Sequence, residues 1–130
     1  MTTSAALIQA AKAAAQHAYA PYSGYAVGAA LLATDGTVYT GCNVENASYP
    51  VGLCAERTAL VKAVSEGRRS FAALVVATKN GGSPCGMCRQ MLYEFAPDLR
   101  VIVADLDGVT HYETTLSALL AHGFGPSSLA

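Results

Sequence analysis

The chain has 130 residues and a formal net charge of −1, and its eight Lys and Arg residues are scattered along it. Proteins that bind nucleic acid usually carry a basic stripe, so this pattern argues against a nucleic-acid partner. No segment reaches the ~20 continuous apolar residues of a membrane span, and the N-terminus lacks the basic start of a signal peptide. We therefore predict one domain, residues 1–130, in a cytoplasmic protein with no membrane partner.

The composition predicts an oligomer. Charged residues make up 13% of the chain and hydrophobic residues 52%, whereas an ordinary soluble domain has ~25% charged residues. A lone domain with so few charges covers its surface poorly, and subunit contacts would bury the apolar faces. The alternative is that abundant alanine raises the hydrophobic count without creating an interface.

The first half of the chain predicts a helix followed by a β-hairpin. Residues 4–20 are rich in alanine, with Ser4 as the candidate N-cap and Pro21 as the residue that ends the helix. The segments AVGAALLAT and VYTGCNV flank Asp35 and Gly36, which form a strong hairpin-turn signal. We expect these segments to pair as antiparallel strands, and ENASYPVGL to form an irregular connection.

The second half alternates helices with buried strands. A helical pattern runs from Cys54 to Glu66, and the segments FAALVVAT and VIVAD have the continuous apolar character of strands buried on both faces. After the turn KNGG, Ser83 can cap a helix that runs to about Phe95, and we expect a last short helix over residues 116–121. This order predicts a mixed sheet with helices packed on it.

Two cysteine motifs predict a metal site. Cys85 and Cys88 lie three residues apart at the start of one predicted helix, and Cys54 begins another. Helix N-termini favour thiolates, which are good ligands for zinc. A fourth protein ligand would make the site structural, and the chain offers four candidates: Cys42, His17, His111 and His122. We expect Cys42 to be a small buried residue rather than a ligand, because a free cysteine is commonly a core residue. An open fourth position would hold a water molecule, whose pKa zinc lowers towards 7.

Glu56, two residues after Cys54, is the candidate catalytic base. A carboxylate beside zinc can take a proton from water and pass it to a substrate. A lone glutamate near a helix start is more typical of a surface residue favoured by the helix dipole, but the three cysteines reverse that preference. Arg57 is a candidate donor of hydrogen bonds to the sulfurs, which would offset their charge. For Arg89 the sequence favours neither of two roles, a donor to the sulfurs or a solvated arginine.

A Cys-x-Glu motif followed by Pro-Cys-x-x-Cys is the zinc-deaminase signature. The chain resembles the small homotetrameric cytidine deaminases over nearly its whole length. Five segments carry this resemblance in order: PYSGYAVGAALL, GCNVENASY, CAERTAL, PCGMCRQ and EF. The resemblance implies an α/β fold in which a mixed five-stranded sheet has helices on both faces. It also implies hydrolysis of cytidine and deoxycytidine to uridine and deoxyuridine with release of ammonia, a reaction of pyrimidine salvage.

The resemblance further implies the cofactor, the assembly and the site residues. It implies one Zn²⁺ per chain, held by Cys54, Cys85 and Cys88, with Glu56 as the proton shuttle. It implies a homotetramer in which neighbouring subunits complete each active site. The substrate-binding residues that it implies are Asn43 and Glu45 for the ribose hydroxyls, Tyr25 near the base, Phe124 from a neighbouring subunit, and Ala47 and Tyr49 in a loop at subunit contacts.

Two features depart from the family pattern. Tyr25 stands where the family usually has phenylalanine, and its hydroxyl needs a partner if it is buried. The segment ALLAHGF replaces a Glu-Leu-Leu-Pro pattern before the terminal phenylalanine. Without the zinc motif, loop capping would explain Asn43 and Glu45 better than ribose binding does, and core packing would explain Tyr25 and Phe124.

Three alternative functions stay open at this level. The first is a related deaminase of another aminonucleoside, which shares the cysteine and glutamate motifs. The second is a non-catalytic zinc-binding module, which needs four protein ligands and has no use for Glu56. The third is a Cys-x-x-Cys oxidoreductase, which needs neither Cys54 nor Glu56.

Overall fold

A mixed five-stranded sheet forms the centre of the computed structural model, which describes residues 2–130. The strands are β1 (Gly28–Ala33), β2 (Val38–Cys42), β3 (Phe71–Thr78), β4 (Arg100–Asp105) and β5 (Thr110–Thr115). They lie side by side in the order β2-β1-β3-β4-β5. β3 and β4 run parallel, and the other neighbouring pairs are antiparallel.

Helices cover both faces of this sheet, as the predicted fold class requires. They are α1 (Ser4–Ala15), α2 (Ala55–Ser65), α3 (Gly86–Tyr93) and α4 (Leu116–Leu119). On one face the apolar side of α1 packs against the sheet through Leu7, Ile8, Val75 and Ile102. On the other face the three later helices share a second core that includes Leu31, Leu60, Leu74, Leu92 and Leu116. Within residues 2–130, no helix combines the length and the apolar character that crossing a membrane demands.

The first helix is shorter than the sequence predicts. Its N-cap is Thr3, whose hydroxyl accepts a hydrogen bond from the Ala6 N–H at 3.1 Å, so the prediction of Ser4 as the cap is wrong. The helix ends at Ala15 rather than at Pro21. It ends early because the chain joins another segment: the N–H of Tyr19 donates to the carbonyl of Asn43 at 3.0 Å. This tertiary bond outweighs the helix preference of the alanine run.

Two further boundaries differ from the prediction. Cys85, not Ser83, is the N-cap of α3, because the Ser83 hydroxyl accepts a hydrogen bond from Arg89 at 3.0 Å instead. α4 ends at Leu119 rather than at residue 121. The polar segment THYETT forms β5 at the edge of the sheet, and only the family resemblance implied this strand. The hairpin, the two buried strands and the helix after Cys54 are confirmed.

Close packing between β2 and α2 positions the site. A Cβ atom at Gly41 would lie 2.5 Å from the carbonyl oxygen of Ala55, so only glycine permits this approach. The Thr58 hydroxyl donates to the carbonyls of Cys42 at 3.0 Å and Cys54 at 3.2 Å, which ties the first turn of α2 to the end of β2. The start of α2 is therefore fixed at the end of β2.

Candidate active site

Three cysteine sulfurs converge where α2 and α3 begin. Cys54 is the N-cap of α2, Cys85 is the N-cap of α3, and Cys88 lies in the first turn of α3. The Sγ atoms of Cys54 and Cys85 are 3.8 Å apart, and those of Cys85 and Cys88 are 3.6 Å apart. The positive ends of both helix dipoles point at this group, which favours the thiolate form.

The donor set and its spacing fit zinc. A tetrahedral site with sulfurs about 2.3 Å from the ion needs sulfur atoms about 3.8 Å apart, and both measured separations agree with that value. Among residues 2–130, this is the one group of three or more His, Cys, Asp or Glu side chains close enough to share an ion. The four other candidates for a ligand lie outside it: Cys42, His17, His111 and His122. The cluster therefore supplies three ligands rather than the four of a closed structural site.

Arg57 contacts the cluster as the sequence suggested. Its Nη2 atom donates to the Sγ of Cys54 at 3.5 Å. Hydrogen bonds from Cys88 and from Arg57 lower the pKa of the Cys54 thiol to about 5. The hydrogen bond to Cys54, together with burial, raises the pKa of the Cys88 thiol. The guanidinium thus stabilises negative charge on the Cys54 sulfur.

Arg89 has a different task from Arg57. Its three hydrogen bonds all go to oxygen atoms: the carbonyls of Pro84 and Leu119, each at 2.7 Å, and the hydroxyl of Ser83 at 3.0 Å. These bonds tie the segment before Cys85 to the end of α4. Arg89 is therefore neither a sulfur donor nor a solvated arginine, and it positions the start of α3.

Glu56 lies in the first turn of α2 and is 3% exposed. It lines the same cavity as Cys54 and Cys85. Burial raises the pKa of Glu56 to about 7. A surface glutamate at a helix start would stay hydrated, so this burial excludes that alternative. A carboxyl group with such a pKa can both accept and return a proton near neutral pH.

A cavity of about 600 Å³ opens over the sulfurs and Glu56. A volume of this size suits a small organic ligand. Four predicted substrate-binding residues line it: Tyr25, Asn43, Glu45 and Tyr49. Cys54, Cys85, Glu56 and Arg57 line it as well. The structure therefore brings together residues that are scattered over half of the sequence.

Asn43 is 8% exposed, and its amide is only partly used by the protein. Its Oδ1 accepts from the Val27 N–H at 2.9 Å, and its Nδ2 donates to the carbonyl of Tyr25 at 2.8 Å. An amide has two acceptor and two donor positions. One acceptor and one donor position therefore remain for a ligand in the cavity.

Glu45 holds the loop before β1. Its Oε1 accepts from the N–H groups of Tyr22 at 2.9 Å and Ser23 at 3.1 Å, and its Oε2 accepts from the Ser23 hydroxyl at 2.5 Å. The hydrogen bond from the Ser23 hydroxyl lowers the pKa of Glu45. Asn43 and Glu45 thus do fix a loop, as the alternative interpretation held, and they also face the cavity.

Tyr25 is half-buried, and its hydroxyl has a hydrogen-bond partner. It donates to the Oδ1 of Asn80 at 2.5 Å. Tyr49 lies at the rim of the cavity with 74% of its surface exposed, and its ring packs edge-on against Tyr22 with centroids 5.7 Å apart.

Ala47 and Phe124 lie outside the cavity of their own chain. Both are exposed, and Phe124 has 56% of its surface free. The backbone carbonyl of Phe124 accepts a hydrogen bond from Gln90 Nε2 at 2.8 Å, which fixes the course of the C-terminal segment. The structure thus does not bring these two residues to the sulfurs of the same chain.

Sequence reasoning missed several residues that shape the cavity. Ser23 lines it and holds Glu45, and Thr78 and Gly82 line it as well. Asn80 is not among the residues that line the cavity, but it accepts a hydrogen bond from the Tyr25 hydroxyl. The segment KNGG predicted only a turn, so no feature of the sequence assigned a role to Asn80 or Gly82.

The fold and the site together define a class of protein. Sulfurs at the spacing of zinc ligands, with a buried carboxyl group and a cavity of ligand size beside them, are what a zinc-dependent hydrolase of small organic molecules requires.

Comparisons with known proteins identify the family within that class. Residues 1–104 match the model of the cytidine and deoxycytidylate deaminase zinc-binding region. The cytidine deaminase of Sporosarcina psychrophila is 50% identical over 127 residues, which cover 95% of this chain and 93% of that protein. The crystal structure of cytidine deaminase from Burkholderia pseudomallei matches with a TM-score of 0.90 at 48% identity, over 95% of this chain and 100% of that chain. The chain belongs to the zinc-dependent cytidine and deoxycytidylate deaminase family, which confirms the resemblance.

Proposed function

We propose that the protein is a cytidine deaminase that hydrolyses cytidine and deoxycytidine to uridine and deoxyuridine and releases ammonia, a reaction of pyrimidine salvage. One observation carries the proposal: the buried carboxyl group of Glu56 lines a nucleoside-sized cavity beside the sulfurs of Cys54 and Cys85. In this proposal Cys54, Cys85 and Cys88 hold one zinc ion per chain. When bound, zinc supplies a Lewis acid that makes water a nucleophile near neutral pH.

Glu56 moves the protons of the reaction. Its carboxylate takes one proton from the attacking water and places it on N3 of the cytosine ring. The water oxygen bonds to C4, and Glu56 transfers the second proton of that water to the amino nitrogen. The C4–N bond then breaks as ammonia leaves, and C4 keeps the oxygen of uridine. A single carboxyl group with a pKa near 7 suits both directions of transfer.

The far end of the cavity orients the sugar. Asn43 has one free donor and one free acceptor position, and the carboxylate of Glu45 provides further lone pairs. Vicinal ribose hydroxyls can donate to Glu45 and both donate to and accept from Asn43. The ring of Tyr25 lies along the cavity wall, where the base would contact it.

The charges of the cavity favour a nucleoside over a nucleotide. Within the described part of the chain, Arg57 is the one cationic residue that lines the cavity, and it is engaged with Cys54. A 5′-phosphate near Glu45 would meet like charge in a partly desolvated site, where repulsion is least screened. The same surroundings accept neutral hydroxyls.

We further propose a homotetramer of chains that each form one domain over residues 1–130. The low charged fraction of 13% and the exposed side chains of Tyr49 and Phe124 support subunit contacts. The number of subunits comes from the family resemblance. In this assembly Ala47, Tyr49 and Phe124 contact the site of a neighbouring subunit. The cytoplasmic location stays a prediction from the sequence.

An absorbance assay tests the function. We expect zinc-loaded protein to convert cytidine and deoxycytidine to their uracil products, with one ammonia released per product. The Glu56→Ala variant should retain zinc and lose turnover. A zinc-loaded protein that leaves both nucleosides unchanged, but deaminates another aminonucleoside, would replace the proposed substrate with that compound. A protein inactive towards every aminonucleoside would favour a zinc-binding module.

A further inference from the structure

Residues 79–83, here called the Asn80 loop, follow β3 and lead towards α3, which begins after Cys85 and carries Cys88. Asn80 accepts a hydrogen bond at its Oδ1 from the Tyr25 hydroxyl at 2.5 Å. The two residues are separated by 55 positions in the sequence. This bond therefore links the loop before β1 to the segment that leads into the metal-binding motif.

Gly82 packs directly against the same hydroxyl. A Cβ atom at Gly82 would lie 2.6 Å from the Tyr25 hydroxyl oxygen and 3.6 Å from the next nearest atoms. The N–H of Gly82 donates to the Thr78 hydroxyl at 2.7 Å, which keeps its backbone close to the end of β3. The tip of the Tyr25 ring is thus enclosed between the backbone of Gly82 and the side chain of Asn80.

The base of the Tyr25 side chain is fixed as well. The carbonyl of Tyr25 accepts from Asn43 Nδ2 at 2.8 Å, and its N–H donates to the Ser23 hydroxyl at 3.0 Å. The Nζ atom of Lys79 lies 5.6 Å from the ring centroid, over one face of the ring. The backbone of Tyr25 is thus held by Asn43 and Ser23 and its hydroxyl by Asn80, and these contacts hold the ring in its place along the cavity.

We propose that Asn80 is a positioning residue for the nucleoside, acting through Tyr25. This inference rests on the proposed function, because it assumes that the base contacts the Tyr25 ring. By holding the hydroxyl, Asn80 fixes the ring face that meets the base. The ring contacts the substrate and the transition state alike, so its orientation affects binding more than the chemical step. Loss of Asn80 should therefore raise KM and leave kcat nearly unchanged.

A double-mutant cycle on zinc-loaded full-length protein tests this inference. We expect Asn80→Ala to raise KM for cytidine about 3- to 10-fold, the range for loss of one hydrogen bond. Tyr25→Phe should cause a similar rise. The double variant should be no worse than either single variant, because both remove the same bond. Asn80→Asp keeps an acceptor oxygen and should stay within about twofold of the unmodified protein.

The cycle separates positioning from a general effect on the loop. If Asn80→Ala raises KM by the same factor with and without Tyr25→Phe, Asn80 acts independently of the hydroxyl and the inference is overturned. Unchanged KM in Asn80→Ala, or a loss in Asn80→Asp as large as in Asn80→Ala, would also overturn it. Failure of the proposed function would appear separately, as absence of cytidine turnover in the unmodified protein.

Gly82→Ala provides a second, independent arm. In the unmodified background the new Cβ atom would meet the Tyr25 hydroxyl, so we expect a rise in KM of similar size. In the Tyr25→Phe background the remaining neighbours of that atom, Thr78 Oγ1 and the ring carbon Cζ, are 3.6 Å away, which is ordinary contact. Gly82→Ala should then cause no further rise in KM. An equal cost in both backgrounds would show that the hydroxyl does not occupy this position, and the inference would fail.

Discussion

Glu56→Gln removes the group that accepts protons and keeps the size of the side chain. Glu56 is the buried carboxyl group beside the sulfurs, and it serves several proton transfers in the proposed reaction. We expect kcat for cytidine to fall by at least about 10⁴-fold, the upper end of the range for general acid–base catalysis. Zinc content should stay at about one ion per chain, because Glu56 lies outside the sulfur cluster.

The same substitution should stabilise the metal-free protein at high pH. Burial raises the pKa of Glu56 from 4.5 to about 7, so the folded state resists an ionisation that the unfolded state accepts. The contribution of Glu56 to stability is therefore complete below pH 4.5 and is lost as the pH rises through about 7. The difference between the pKa values of Glu56 in the folded and unfolded states corresponds to about 3 kcal/mol, since one pKa unit equals about 1.36 kcal/mol. Glutamine removes this cost.

Urea unfolding of chelator-treated protein at pH 5 and pH 8 measures this difference. The advantage of Glu56→Gln should be small at pH 5 and approach about 3 kcal/mol at pH 8. Glu66→Gln is the matched control, because Glu66 is an exposed glutamate at the other end of α2. It should change neither turnover nor this pH dependence. A Glu56→Gln variant that keeps more than about a tenth of the normal kcat would refute the assigned role of Glu56.

Three other predictions concern the metal, the substrate and the assembly. Metal analysis should find that Cys42→Ala keeps zinc while Cys85→Ala loses it; loss in Cys42→Ala would indicate a closed four-ligand site. In one buffer, cytidine should be deaminated far more efficiently than its 5′-monophosphate or a cytosine-containing oligonucleotide, and equal efficiencies would refute the sugar-binding roles of Asn43 and Glu45. Light scattering should show a tetramer, and Phe124→Ala should weaken cytidine turnover; a fully active monomer would contradict the shared site.

The chemistry of the site was predictable because its residues stand at helix starts that the sequence marks. Cys54 and Cys85 precede recognisable helical patterns, and helix N-termini have defined directions in space. Their spacing therefore predicted a common metal site and a nearby role for Glu56. The continuous apolar runs of β3 and β4 likewise predicted buried strands, because short runs rich in valine and isoleucine and bounded by turn signals are typical of strands buried on both faces.

The remaining features depend on contacts between distant segments. α1 ends early because Tyr19 bonds to Asn43, and no local signal marks that bond. β5 is a polar strand at the edge of the sheet, and its sequence lacks the alternation of apolar and polar residues that marks a strand. Its pairing with β4 depends on where the fold places the segment. The bond between Tyr25 and Asn80 depends on the path of two loops. Propensity and periodicity describe neighbours along the chain, so they could not reveal these contacts.

Hydrolysis in ¹⁸O-labelled water tests the central claim most directly. Zinc-loaded protein would be incubated with cytidine in labelled water, and the products would be analysed by mass spectrometry. The proposed reaction predicts uridine with one ¹⁸O atom, and one ammonia for each uridine formed, because the oxygen at C4 comes from the attacking water. Uridine without the label, or full zinc occupancy with no uridine formed, would contradict the assignment of this site to hydrolytic deamination of cytidine.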